Sequence, residues 1–182
     1  PIVRMILITA VLVEIFGFAY GAVMPAVAKN ALNVDSEGLG TLTMMAGVGS
    51  VIGSVFLMAL GNFRRKGLLL IGIAIAYGIF LATFSAPGSY AAALVLIMGV
   101  GASAAAFDAM QWTLLQLNVP DEMRGRAVGA WVFAIVFGWI GHLGMGAVGE
   151  AVGVQTALAG AGIIVVITGI AAYLFSPSMR RI

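Results

Sequence analysis

Six long apolar stretches fill almost all of the 182-residue chain, and nearly every positive charge falls in the gaps on one side of them. A helix rises about 1.5 Å per residue, so a run of about 18 or more apolar residues crosses a hydrocarbon layer of about 30 Å. The predicted spans run from Arg4 to Val27, Leu39 to Leu60, Gly67 to Phe84, Tyr90 to Leu115, Ala127 to Gly149 and Val154 to Phe175. Each is much longer than the roughly 9–11 residues of a membrane strand, and none alternates in polarity. A helix also pairs its own backbone amides, as a spanning segment in lipid must. The chain is therefore expected to be an all-α integral membrane protein.

Composition agrees. Hydrophobic residues make up 62% of the chain and charged residues only 9%, against about 25% charged in a soluble domain. Its 25 glycines suit close helix packing in lipid. The chain has no cysteine, which excludes disulfides, thiol catalysis and thiolate metal sites. The gaps between spans are short, with Pro87-Gly88 and Pro120 as turn signals. They read as one domain over residues 1–182 with antiparallel sequential helices. The chain opens on Pro1 and enters an apolar run at once, which reads as a piece of a longer polypeptide. A secretory signal ending near Ala26-Val27-Ala28 is the competing reading, but the run before it is too long and contains Glu14.

Arg4, Arg64, Arg65, Lys66, Arg124, Arg126, Arg180 and Arg181 share one side of the membrane, and Lys29 stands alone on the other. This asymmetry places both termini in the cytoplasm. It reflects orientation, not nucleic-acid binding. A faint internal repeat divides the six helices into two triplets. The first helix of each carries an acid, Glu14 or Asp108, the second is glycine-rich and the third almost purely apolar. Two three-helix units of opposite topology in series are a common plan of secondary transporters.

Glu14 lies about ten residues into its helix, near the bilayer midplane, where an ionised carboxylate is costly unless it meets water or a partner. It is a candidate proton-coupling or cation-binding group; the bland alternative is a neutral carboxyl bonded to a neighbouring helix. Asp108 shares a helix face with Gln111, Trp112 and Leu115 at spacings i+3, i+4 and i+7, with Thr113 and Gln116 nearby. That polar stretch reads either as a cavity wall or as interhelical glue. His142 could relay protons or contact substrate, but a lone histidine is more often a packed hydrogen-bonding residue. With no second histidine and no ligand spacing, a metal site is not expected, and no cofactor is implied.

The glycines read as packing positions: Gly47, Gly49 and Gly53 with Ser50 and Ser54, then Gly138, Gly141, Gly144, Gly146 and Gly149. The third and sixth helices offer few polar side chains, among them Tyr77, Thr83, Thr168 and Tyr173. They are expected to face lipid, leaving the first, second, fourth and fifth to enclose a polar interior.

Several stretches carry a family resemblance: Phe16-Gly-Phe-Ala-Tyr20 with Met24-Pro25, Glu37-Gly-Leu-Gly40, Ala46-Gly-Val-Gly49, and Leu114 to Arg126 ending in Pro120-Asp-Glu-Met-Arg-Gly-Arg126. With the glycine-rich fifth helix, they make the chain resemble the C-terminal six-helix half of a major facilitator superfamily transporter. The bacterial enterobactin-exporter and macrolide-efflux members are the nearest in character. The resemblance spans essentially all 182 residues and implies alternating access between two six-helix halves, the N-terminal half being a missing partner. It also implies a cytoplasmic latch built from Gly, Asp and Arg. Gly61 to Gly67 occupies one such loop but holds Asn62 and Phe63 and no acid, so Asp121, Arg124 and Arg126 are the better gating candidates. Ordinary positive-inside charge would also place arginines there.

The function expected is secondary transport: proton-coupled efflux of small amphipathic, drug-like or siderophore-like compounds, with Glu14, Asp108, Gln111, Trp112 and His142 at the coupling site or cavity. Aromatic Phe16, Phe18, Trp112 and Trp131 suit an apolar pocket with few polar anchors. A non-transporting membrane scaffold or assembly subunit is the alternative. An enzyme is not expected, since no nucleophile–base constellation is visible.

Overall fold

The computed structural model describes residues 2–61, 63, 65–177 and 179–181. Pro1, Asn62 and Arg64, singled out above, lie outside the described residues, as do the side chains of Ala134 and Arg181. The described residues are helical throughout and contain no strand. Six segments are long and apolar enough to span a bilayer. The first, Ile2–Ala31, comprises α1 (Ile2–Phe16), α2 (Tyr20–Ala26) and a π-helical turn at Val27–Ala31. The second is α3 (Ser36–Leu60), the third α4 (Lys66–Phe84) and the fourth α5 (Tyr90–Leu117). The fifth, Asp121–Val152, comprises a 3-10 turn at Asp121–Met123, then α6 (Arg124–Val136) and α7 (Gly138–Val152). The sixth is α8 (Val154–Phe175).

Polar caps set the helix ends. Asp35 accepts from the backbone N–H groups of Glu37 and Gly38 at 3.1 and 3.0 Å and starts α3. Ser89 accepts from Ala92 N–H at 3.2 Å and starts α5. Gly61 and Gly153 end α3 and α7 with φ of 53° and 90°, a backbone that a side chain would strain. The first span runs past its expected end at Val27 because the π-turn continues the helix to Ala31. At the end of the bundle away from the arginine-rich loops, Tyr90 Oη donates to Gly38 O at 2.9 Å and ties the fourth span to the second.

Packing follows the triplet plan. The second span lies along the fourth and the first along the fifth, while the third pairs with the sixth. The third also touches the fourth, as the sixth touches the first. Exchanging the triplets maps each of these neighbours onto another, as two inverted three-helix repeats require.

Glycines set the seams. A Cβ at Gly49 or Gly53 would collide with the Met98 or Ala102 carbonyl, and one at Gly101 with the Ala46 carbonyl. Ser50 Oγ donates across this seam to Gly101 O at 3.2 Å. Between the third and sixth spans, Gly78 and Gly162 face each other with no room for side chains. Gly141 closes on the Ile15 carbonyl in the first–fifth seam. Gly47, Gly144 and Gly146, by contrast, border open space, so only part of the glycine pattern is packing.

The expectation that the third and sixth spans face lipid holds on one side only. Ile79, Ile163 and Ile167 point outward, but the inner face of α4 is sealed against its neighbours and includes the fully buried Tyr77. The more exposed spans are the second, with Met44, Val51, Phe56 and Met58, and the fifth, with Phe133, Trp139 and Leu143.

Candidate functional site

The first and fifth spans both lose helical register where they meet. In the first, Val13 O accepts from Gly17 N–H at 2.6 Å and from Phe18 N–H at 3.3 Å, so one carbonyl serves two donors. The chain then restarts on tight i+3 bonds, Gly21 N–H to Phe18 O at 3.4 Å and Ala22 N–H to Ala19 O at 3.2 Å. In the fifth, the interruption falls at Phe137, and Ile140 N–H bonds Phe137 O at 3.0 Å. Discontinuous helices of this kind free backbone groups and allow bending, and in transporters they surround binding sites near the midplane.

Glu14 sits at this double interruption and is 7% exposed. Gly138, first residue of α7, faces it: a Cβ there would lie 3.5 Å from Glu14 Oε2. That is ordinary van der Waals contact, so the fifth span lies directly against the carboxyl at a distance that would also admit an alanine. Asp108, on α5, lies within electrostatic range of Glu14, so the acids of the two triplets share one neighbourhood. Asp108 Oδ1 is shut off from solvent and has no hydrogen-bond partner among the described residues.

Gln111, one turn on from Asp108, is completely buried. Its Oε1 accepts from Trp131 Nε1 at 3.3 Å, while its Nε2 has no partner among the described residues. Trp131 also meets Trp112 edge-on, with centroids 5.0 Å apart. The cluster thus joins α5 to α6 and leaves an unmatched donor and an unmatched acceptor on one helix face. His142 turns its Nδ1 to Gly138 O at 2.8 Å, lies tilted at 41° to the Trp139 ring with centroids 6.3 Å apart, and places Nε2 near Gly21. It is a packed hydrogen-bonding residue one turn beyond Glu14's neighbour.

The sequence-based list omitted two members. Tyr77 on α4 and Tyr20 at the start of α2 stand within electrostatic range of each other, and Tyr77 also of Glu14 and Asp108. A lone polar side chain amid an apolar span was the available signal for Tyr77. Beside the interruption, an apolar groove of about 360 Å³ is lined by Ile15, Phe16, Gly141, Gly144, Met145 and Ile164 among others. The gating candidates lie apart from the acids, at the basic end. Arg124 pairs with Asp121 at 2.6 Å within one turn, both exposed, and Arg126 is exposed beside them.

Six membrane-spanning helices in two exchanging triplets are the architecture of half of a major facilitator fold. The family described as transmembrane secretion effector matches residues 1–180, and the chain belongs to that family of the major facilitator superfamily. No curated protein and no solved structure shows significant similarity to it.

Proposed function

We propose that this chain is the C-terminal half of a proton-coupled exporter of small amphipathic compounds, of the drug or siderophore type. The carrying observation is that Glu14, beside the paired interruptions in the first and fifth spans, lies within electrostatic range of Asp108 from the other triplet. Protonation removes a buried charge and so biases the balance between inward-open and outward-open states, both of which must already be accessible. In the enclosed arrangement described here the acids are shielded by protein, and opening the first–fifth seam would bring them to water. The unmatched Gln111 Nε2 and Asp108 Oδ1 suit a polar substrate group or a bridging water. The apolar groove and the Trp112–Trp131 pair suit a greasy substrate body.

The Asp121–Arg124 pair is read as part of the cytoplasmic latch. Exposed ion pairs contribute only about 0–1 kcal/mol. Asp121→Asn is therefore expected to leave the melting temperature unchanged while altering transport rate, and an unchanged rate removes the pair from gating. Both termini are assigned to the cytoplasm of a bacterial inner membrane.

The central test is Glu14→Gln in the full-length protein, reconstituted in liposomes with an imposed pH gradient and assayed with a dye, a macrolide and a catecholate siderophore. Gradient-driven export should disappear for every compound the unmodified protein moves. Export with undiminished rate and pH dependence would remove Glu14 from the mechanism. Failure of the unmodified protein to move any substrate favours the scaffold reading.

A further inference from the structure

Tyr77 is a buried polar group to which export, as proposed above, gives no task. It is 0% exposed, and its hydroxyl has no partner among the described residues. An unpaired hydroxyl in a dry interior is unfavourable, and phenylalanine would fill the same space without that cost. The hydroxyl is therefore a donor left open for a partner that the described residues do not supply in this arrangement.

The ring is held by the interruption in the first span. Phe18 meets it edge-on, with centroids 5.7 Å apart at 75°. Gly17 lies beneath it: a Cβ there would come within 2.8 Å of Cε1 and 3.2 Å of Cζ, the atom that bears the hydroxyl. The bend thus determines where the oxygen sits. The titratable groups around it are Glu14 from α1, Tyr20 from α2 and Asp108 from α5. On the far side α8 presents Gly162 and Val166 against the neighbouring Gly78. The nearest cation on α4 itself is Lys66, eleven positions away, so roughly 16 Å along the helix. Arg180, beyond α8, lies over the Tyr173 ring.

Resting on the proton-coupled reading, we propose that Tyr77 is a positioning residue of the coupling site, whose hydroxyl donates to whichever of Glu14 and Asp108 is ionised. One hydroxyl carries one proton and can serve one carboxylate at a time. Ionising one acid then withdraws the donor from the other, so the two titrate as a linked pair in sequence. The ring's contacts with Gly17 and Phe18 make the choice of acid sensitive to the bend of the first span.

Infrared titration of the carboxyl C=O bands tests this on the full-length protein in liposomes, with no substrate and no gradient. Glu14→Gln and Asp108→Asn should each delete one band and thereby assign it. Tyr77→Phe should keep both bands and move at least one midpoint to higher pH by about one unit or more, because the ionised form loses a charge-assisted hydrogen bond. Fluorotyrosine at position 77, a stronger donor of the same shape, should move it the other way, and this arm serves if Tyr77→Phe fails to fold. Midpoints unmoved by these replacements, or the absence of titrating bands from the two acids, overturn the proposal. Shifted midpoints with export unaffected by Glu14→Gln sink the coupling reading alone; unmoved midpoints with export abolished sink the shared donor alone.

Discussion

At the scale of single residues, the polar interior is an arrangement of incomplete partnerships, and its energetics can be separated by pairing substitutions. Gln111 is completely buried with one end bonded to Trp131 and the other unmatched. Trp131→Phe strips the bonded end as well, leaving a buried amide without any partner, and is expected to cost about 1–3 kcal/mol. In a Gln111→Leu background the same change should cost far less, because no amide remains to be orphaned. Thermal unfolding of the four proteins of this cycle checks it; equal costs in both backgrounds would show that the indole acts through packing instead. Sequence made Asp108 and Gln111 legible, since spacing alone puts them on one helix face. It could not show that Trp131, twenty positions away, completes the amide, because that contact crosses between helices. Tyr77 was misplaced for the same reason. An apolar helix reads as lipid-facing, yet one face of α4 is sealed by α5 and α8 and by the bend of the first span.

At the scale of helices, length and apolarity located the spans to within a few residues, because a bilayer imposes both. The interruptions at Gly17–Ala19 and Phe137 were not legible. Phe18, Ala19 and Phe137 are compatible with a helix, so the residues at the slip do not mark it; it shows only in the packing of Phe18 on Tyr77 and of Gly141 on Ile15. Glycine chemistry shows the same division. Gly53→Ala drives a methyl into the Ala102 carbonyl of a long uninterrupted seam, and should destabilise by about 1–3 kcal/mol. Gly47→Ala, on the same helix but facing open space, should be neutral or stabilising by up to about 1 kcal/mol. Melting temperatures of the two variants decide between them, and equal losses would mean that the second–fourth seam is looser than its backbone contacts imply. The second–fourth seam is thus tight and uninterrupted, whereas both helices of the first–fifth seam are broken.

At the scale of the whole molecule, the remaining question is which end faces the cytoplasm, and charge supplies the physical argument. Arg4, Arg65, Lys66, Arg124, Arg126 and Arg180 gather at one end of the antiparallel bundle. Lys29 stands at the other, with Asp35, Glu37 and Glu150. Basic side chains resist translocation far more than acidic ones, so the arginine-rich end is the one expected to stay inside. The absence of cysteine from this stretch makes the arrangement directly measurable with single introduced thiols. Ser36 and Glu150 are exposed at the acidic end and Met123 at the basic one. In intact cells Ser36→Cys and Glu150→Cys should react with a membrane-impermeant maleimide, and Met123→Cys should react only after the membrane is opened. The reverse pattern would put the Asp121–Arg124 pair on the outer surface, where it could not latch an inward-facing opening.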